Sequence, residues 1–278
     1  MKVSAYIPCF NNESTITTAV KSVLNQSYTV DELIVIDDGS SDRSYEKMQN
    51  LPISIHRIEE NKGRGYVRNF AMKACKHDLV LCCDATNSLD SNFLKIAIKH
   101  LNKDHNISSV SGIIKARSVN GTISRWRSRH LFKEGISYPP GHITNTSLVT
   151  YGTLVRKSTL LNAGNFDPTL KHSEDEDLGQ RLKKLGFKSL GDPKLITYSE
   201  IENSLVQVLE RHWRWHIGKK ECLTLKSYLN LIRGSLNPMM VQDIKAADPV
   251  ASLISLVYPH FFLFKTLLAG NSKRNVCF

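Results

Sequence analysis

Two glycine signatures of common nucleotide-binding folds are missing from this chain. No G-x-G-x-x-G turn follows its first apolar run, and no G-x-x-x-x-G-K-[ST] occurs anywhere. The first absence removes a nicotinamide-dinucleotide fold and the second an ATP-hydrolysing P-loop fold; the Gly63-Arg64-Gly65 turn has the wrong spacing for either. Metal-type cysteine pairs are missing too: the six cysteines, at 9, 75, 82, 83, 222 and 277, never fall into C-x-x-C. Adjacent Cys82 and Cys83 would point to opposite faces of a shared strand, and the set reads as reduced, buried thiols of a cytosolic protein. The opening M-K-V-S-A-Y-I-P-C-F has an apolar run too short for a signal peptide and is followed at once by Asn11, Asn12 and Glu13. It reads as a strand, with the expectation that the protein is not secreted.

Acids are the scarce charge: 26 against 37 basic residues give a net charge of +11, which points to an anionic partner such as a nucleotide, a phosphorylated lipid, an acidic membrane or nucleic acid. With 278 residues and 41% hydrophobic content the chain is long enough for one large α/β domain with an appendage, and disorder is excluded as the default.

What is present is an alternation. Val3 to Ile7, Leu33 to Ile36, Ile53 to His56 and Leu79 to Cys83 are short continuous apolar runs, as expected of parallel strands covered on both faces. Helical periods separate or follow them: Ile16, Ala19, Val20, Val23 and Leu24; Val67, Phe70, Ala71, Ala74 and Cys75; Phe93, Leu94, Ala97, Ile98 and Leu101. This is a βαβ series that predicts a doubly wound sheet. Ligands of such sheets bind beyond the carboxyl ends of the strands, which here carry Pro8 to Asn12, Asp37 to Asp42 and Asp84 to Asn87.

Further on, S-E-D-E-D-L-G-Q-R-L-K-K-L-G from Ser173 to Gly186 stacks four consecutive carboxylates at the start of an amphipathic helix. Leu178, Leu182 and Leu185 make its buried stripe, Ser173 its N-cap and Gly186 its left-handed stop. The helix macrodipole favours acids there by ~0.3–1 kcal/mol each, which accounts for one or two of the four. An acidic site with a basic rim suits a nucleotide-sugar enzyme, in which carboxylates bind base and ribose while a metal or Lys and Arg neutralise the diphosphate.

The strings V-S-A-Y-I-P-C-F-N-N-E, I-D-D-G-S-S-D (36–42), N-K-G-R-G-Y-V-R-N (61–69), D-A-T-N (84–87), G-N-F-D (164–167) and E-D-E-D-L (174–178) follow in order over roughly residues 1–220. This sequence resembles the inverting family 2 glycosyltransferases of GT-A fold. The resemblance implies an α/β, Rossmann-like, mostly parallel sheet flanked by helices over 1–220; beyond it, 221–278 reads as a C-terminal helical segment that could associate with a membrane. The resemblance also implies that Asp38 recognises the nucleotide base, with Pro8 and Asn11 shaping the pocket and Asp37 bracing the turn. Arg68, Lys62 and Arg64 resemble nucleotide-side basic groups, and Asp84 a nucleotide and metal ligand. Asp175 takes the place of the general base, Glu174 and Asp177 support the start of its helix, Thr150 to Gly152 resemble an acceptor-side loop, and Arg214-Trp215 an R-W element near diphosphate and acceptor. For Trp213 and Trp215, helix packing explains the residues equally well.

Two departures bear on the divalent metal, Mn or Mg, that the resemblance implies. The third position of the family's D-x-D is Thr86 here, a poor ligand for a hard cation, and the histidine that often follows the last strand is replaced within T-Y-S-E at 197–200. A site relying on Arg and Lys instead is the expectation. The segment 115–133, with six Lys or Arg and no acid, could embrace a phosphorylated acceptor or an anionic membrane, and no nucleic-acid motif accompanies it. Val250 to Ala269 has fourteen apolar residues in twenty, interrupted by Pro259, His260 and Lys265; it reads as a segment lying at a membrane interface with Lys273 and Arg274 near headgroups. The expected activity is transfer of a sugar from a nucleoside diphosphate, UDP favoured, to a cell-envelope polysaccharide, glycolipid or lipid-linked glycan, by a cytoplasmic protein peripheral to the membrane. Two classes compete: a catalytically lapsed sugar-nucleotide binder, suggested by Thr86, and a sugar-phosphate nucleotidyltransferase, which would want a G-G-rich loop where P-C-F-N-N stands.

Overall fold

Strand β1 (Val3–Cys9) shows how the sheet is built: Val3, Ala5, Ile7 and Cys9 enter one apolar core and Tyr6 the other, so neither face of the strand sees water. Strands β2 (Glu32–Asp38) and β4 (Leu79–Cys83) divide in the same way, Leu33 and Val35 against Ile34 and Ile36, Leu79 and Leu81 against Val80. Cys83 and Cys82 accordingly face opposite cores, as the sequence predicts.

A computed structural model describes residues 1–139, 141–217 and 223–269 of the chain. It divides into two compact units, Met1–Arg117 with Ser137–Ile201, and Ser118–Ile136 with Glu202–Phe278. In the first, α1 (Ile16–Leu24), α2 (Ser44–Met48), β3 (Ser54–Ile58) and α3 (Arg64–Ala74) connect the first four strands. Then come β5 (Asn87–Leu89), α4 (Phe93–Leu101) and β6 (Ile107–Ala116). After the segment given to the second unit follow β7 (Thr144–Asn145), β8 (Gly152–Arg156), α6 (Lys157–Asn162), α7 (Glu174–Lys184) and β9 (Lys188–Ser199). The sheet order is β3-β2-β1-β4-β8-β6-β9-β5, with β7 beside β9.

The first four strands pair in parallel, β8 runs antiparallel between β4 and β6, and β6 pairs in parallel with β9, so the sheet is mixed beyond its parallel N-terminal half. Helices α1 and α4 cover one face; α3, α6 and α7 cover the other. Strand β1 lies between β2 and β4, where successive crossovers leave in opposite directions. This is the switch point at which doubly wound sheets open a crevice. β3 departs from expectation: it is the edge strand, largely exposed.

The second unit is helical: α5 (Thr122–His130), α8 (Leu205–Ile217), α9 (Leu225–Gly234), a π-type turn at Ser235–Met240, α10 (Val241–Lys245) and α11 (Pro249–Ala269). Trp126, Val208, Leu209, Ala251, Ile254, Tyr258 and Phe262 form its core. The α5 part of the basic segment 115–133 is not a free anion-binding loop. Arg125 bonds Asp248 at 2.7 Å, Arg129 pairs with buried Asp243, and Arg127 bonds Asn203 at 2.8 Å. Trp126 is fully buried, its Nε1 donating to Ser255 at 2.8 Å. Trp213 likewise packs within this unit, donating to Thr266 Oγ1 at 3.1 Å.

Candidate functional site

The loops after β1 and β2 are tied together by hydrogen bonds. Asn11, with a left-handed φ of 52°, donates its N–H to Ser40 Oγ at 3.0 Å and accepts from the Ser41 N–H at 2.9 Å. Pro8 is half-buried in β1 in register with Ile36. Asp37 is fully buried, accepting from Ser40 N–H at 3.3 Å with Arg57 Nε 3.4 Å away. Asp38 is also buried; Oδ1 accepts from the Lys62 N–H at 2.8 Å and Oδ2 from the Gly63 N–H at 2.9 Å. Burial pushes its carboxyl above the ordinary value, and the two amides oppose that shift. Asp38 is therefore the anchor of the N-K-G-R-G turn, and what it offers a ligand is the second lone pair of each oxygen.

That turn is fixed from its other side by the G-N-F-D loop. The Gly65 N–H donates to the Leu170 carbonyl at 3.0 Å, and a Cβ on Gly65 would stand 2.2 Å from the Asp167 carbonyl oxygen, so only glycine fits. Asn69 Nδ2 reaches the Phe166 carbonyl at 2.6 Å and Asn165 returns a bond to Asn69 at 3.2 Å.

Arg68, 1% exposed, lies beneath this scaffold. Its Nη2 is 2.7 Å from Asp84 Oδ1 and its Nε 3.3 Å from Glu174 Oε1. Burial disfavours the guanidinium charge, but Asp84, Tyr6 and Glu174 together hold it above its usual pKa, fully cationic. The pairing is incomplete. Arg68 Nε and Nη1, Glu174 Oε2 and the Tyr6 hydroxyl are buried without a hydrogen-bond partner among the described residues. Buried polar groups are rarely left this way unless a ligand or catalytic role claims them. Lys62 and Arg64 are more exposed: Lys62 pairs with Glu60 at 3.1 Å, and Arg64 Nε is 3.9 Å from Glu174 Oε1.

Helix α7 brings its acids to the same place. Leu178 and Leu182 are buried as expected, but Leu185 is 53% exposed; Gly186, at φ +84°, ends the helix. Ser173 occupies the N-cap position in a left-handed conformation, and its hydroxyl makes no cap bond. The four acids do different work. Glu174 is buried against Arg68, Asp177 pairs with Arg181 one turn on, and Glu176 N–H donates to Asp175 Oδ1 at 2.9 Å. Asp175 is raised above the ordinary carboxylate range by burial; Arg68 pulls it down and Glu174 pushes it back up. A half-buried carboxylate with an elevated pKa is suited to accept a proton. Tyr151, in the Thr150 to Gly152 loop, lies near enough to feel that charge: burial and then Asp175 push its hydroxyl up to about 12.

Arg214 is an exposed residue of α8 in the second unit, and the Trp215 side chain lies outside the described residues, as do Cys222, Lys273, Arg274 and Cys277. The thiols of Cys9, Cys75 and Cys82 are buried and pushed up to about 12 by desolvation, which makes them inert.

Sequence reasoning did not single out Tyr6 or Glu200, and took Arg117 only as one member of the basic run 115–133. Arg117, first after β6, donates Nε to Glu200 Oε1 at 3.0 Å and Nη2 to Ser88 Oγ at 2.6 Å; Glu200 N–H donates to the Thr86 carbonyl at 2.9 Å. The signal for both was their position immediately beyond a strand end.

A divalent cation finds a poor set of donors here. Asp84 Oδ1 is held by Arg68, Thr86 offers no carboxylate, Glu200 is held by Arg117, and no three His, Cys, Asp or Glu residues converge among the described residues.

Comparison with known proteins agrees with this architecture. The chain is 24% identical over 241 residues to a poly-β-1,6-N-acetyl-D-glucosamine synthase of Staphylococcus epidermidis, covering 83% of this chain. It spans 57% of that relative's length. Among solved structures, S. aureus TarS superposes with a TM-score of 0.53 at 22% identity, over 78% of this chain and 40% of that one. The mannosyltransferase PcManGT of Pyrobaculum calidifontis, in complex with GDP-Man and Mn2+, gives 0.58 at 15% identity, over 97% and 76%. These likenesses show the GT-A fold. The family model for glycosyl transferase family 2 matches residues 4–160, more than half of the chain, and the chain belongs to that family.

Proposed function

We propose that this chain is an inverting glycosyltransferase that moves a sugar from a nucleoside-diphosphate donor, UDP favoured, to a cell-envelope polysaccharide, glycolipid or lipid-linked glycan. The observation that carries the reading is Asp175, a carboxylate with an elevated pKa at the start of α7, beside the buried Arg68–Asp84–Glu174 cluster at the strand ends. Asp175 accepts the proton of the acceptor hydroxyl as its oxygen bonds to the anomeric carbon. The bond from that carbon to the diphosphate breaks on the opposite face, and its electron pair leaves with the nucleoside diphosphate. Asp38 with Pro8 and Asn11 forms the base side of the donor pocket and Arg68 with Asp84 its inner wall, and Glu174 positions Arg68. The polymer made by the staphylococcal relative supports an acceptor of the polysaccharide kind. The Mn2+ complex of PcManGT makes a divalent cation a reasonable cofactor for the fold, although the donor set above argues for weak dependence on it. The catalytic part is taken as 1–220 and the helical part as 221–278.

The helical unit supports a peripheral, cytoplasmic-face location. Helix α11 is long and apolar enough to cross a membrane, with a mean hydropathy of 1.4 over Pro249–Leu268. It nevertheless buries Ala251, Ile254, Tyr258 and Phe262 in its own unit and exposes Leu253, Val257, Phe264 and Leu267 on the other side. With one face packed within its own unit and the opposite face apolar, α11 is proposed to lie on a bilayer rather than through it. Both acids of the stretch from α9 to α11, Asp243 and Asp248, are buried, so its exposed Lys226, Arg233 and Lys245 present only positive charge.

The activity is tested by incubating the purified chain with UDP-, GDP- and dTDP-sugars and following nucleoside diphosphate release with and without glycan oligomers. Acceptor-stimulated release from one donor supports the reading; binding without turnover makes the chain a lapsed enzyme. For the membrane face, Leu253→Lys/Phe264→Lys should lose at least about tenfold of its partitioning to phosphatidylglycerol vesicles, each substitution removing a bilayer-facing apolar group. Unchanged partitioning would refute that placement.

A further inference from the structure

Arg117 is held more firmly than a surface arginine needs to be. Its N–H donates to the Ser199 carbonyl at 3.0 Å, which continues the β6–β9 pairing and brings it beside Glu200. The guanidinium then meets Glu200 at 3.0 Å and Ser88 Oγ at 2.6 Å, and lies 3.9 Å over the Tyr198 ring. Ser88 also donates to Glu200, so the planar cation is clamped by a carboxylate, a hydroxyl and an aromatic face. An isolated surface ion pair contributes little and rarely recruits three kinds of partner.

The location gives the clamp a purpose. Glu200 N–H bonds the Thr86 carbonyl at 2.9 Å, and Ser88 is two residues beyond Thr86. The guanidinium therefore stands beside the D-A-T-N loop that follows β4, in which Thr86 takes the place of a second carboxylate that could hold a cation. The Arg117 side chain is 48% exposed, Glu200 only 13%, and Arg117 Nη1 makes no hydrogen bond among the described residues. Arg68 cannot fill this role alone, because it is 1% exposed and engaged by two carboxylates.

We propose that Arg117, positioned by Glu200, Ser88 and Tyr198, is the fixed cation that binds the donor's diphosphate and takes up the negative charge left on the departing nucleoside diphosphate, in the place of a divalent metal ion. This rests on the donor-site reading given above. It balances simply: the charge that appears on the leaving diphosphate oxygen as its bond to the anomeric carbon breaks is met by a guanidinium N–H, and the acceptor's proton goes to Asp175.

The test is calorimetry on the full chain with UDP, GDP, uridine and guanosine, first in EDTA and then in micromolar Mn2+. In EDTA the wild type should bind one nucleoside diphosphate at least about tenfold more tightly than its nucleoside. Arg117→Gln should lose about 10- to 100-fold in diphosphate affinity, the range of a charge-assisted hydrogen bond, with nucleoside affinity unchanged. It should also gain a response to Mn2+ that the wild type lacks, because Glu200 is set free as a ligand. Arg117→Met, which keeps the stem against Tyr198, is the second variant should the glutamine form unfold. A diphosphate preference that survives in either folded variant overturns the proposal, and so does a wild-type preference that appears only with Mn2+. Wild-type protein that binds no nucleotide in either medium overturns the donor-site reading itself, and this proposal with it.

Discussion

Asp38 ends β2 and Arg68 lies in the second turn of α3, and both are buried, yet their surroundings differ in kind. Each oxygen of Asp38 is met by a backbone amide, at 2.8 and 2.9 Å, so the carboxylate completes a turn. Arg68 has carboxylates on two sides and still leaves two nitrogens without hydrogen bonds, beside an unpartnered Glu174 oxygen. The first arrangement is finished by the chain alone; the second is not. A closed set of hydrogen bonds stabilises a loop, whereas an open buried set raises the local electrostatic stakes and keeps groups ready for a ligand. Beside that set, burial raises the Asp175 pKa, Arg68 opposes the rise and Glu174 adds to it, while Arg68 remains charged.

The contrast breaks most visibly at Asp175. Asp175→Asn should reduce transfer by about 10²–10⁴-fold, the usual cost of losing a general base, with donor affinity by calorimetry unchanged. Turnover at the wild-type rate would remove Asp175 from the chemistry and leave α7 as a structural helix.

Arg68 is next. Arg68→Met leaves Glu174 buried and uncompensated, so urea melts should show about 3–5 kcal/mol of lost stability. Adding Glu174→Leu should recover a substantial part of it, because the stranded charge goes as well. A double variant no more stable than the single one would mean that Glu174 is not the group Arg68 neutralises.

The sequence made the alternation of elements plain because burial on both faces leaves continuous apolar runs, and β1, β2, β4, α1, α3 and α4 follow those runs closely. It did not reveal α2, whose five residues carry no helical period, or β5 and β9, whose pairing depends on contacts more than a hundred residues apart. Within the site, the order of motifs located Asp38, Arg68, Asp84 and the α7 acids. Only coordinates distinguish Glu174, turned inward to Arg68, from Asp177, turned along the helix to Arg181. The α5 part of the basic run 115–133 misled for a related reason. The acids that neutralise Arg125 and Arg129 stand more than a hundred residues away, so net charge alone made a packed helix look like an anion site.

At Asp38 the expected effect is smaller and divided. Asp38→Ala removes two acceptors from the Lys62 and Gly63 amides, so nucleoside affinity should fall by ~1.5–3 kcal/mol, the range for hydrogen bonds to a charged group. Part of that loss is distortion of the turn. Asp38→Asn, which keeps one carbonyl oxygen, separates the two contributions. Nucleoside affinity equal to wild type in both variants would show that Asp38 serves the turn alone.

The smallest effect concerns pH. As the proposed general base Asp175 must be ionised to act, so kcat/KM should fall as pH drops through its pKa, and burial moves that acid limb upward from where an exposed aspartate would put it. Glu174 contributes to the elevation as a neighbouring negative charge, while Arg68 opposes it. Glu174→Gln removes the like charge and leaves Arg68, so the limb should move to lower pH, with activity on the neutral plateau reduced by whatever Arg68 loses in positioning. Glu174 thus separates two roles that a single rate measurement would confuse: its effect on the limb is electrostatic and its effect on the plateau is geometric. A limb that stays in place while the plateau drops would assign Glu174 to holding Arg68 only, and a limb that moves upward would contradict the arrangement of charges around Asp175.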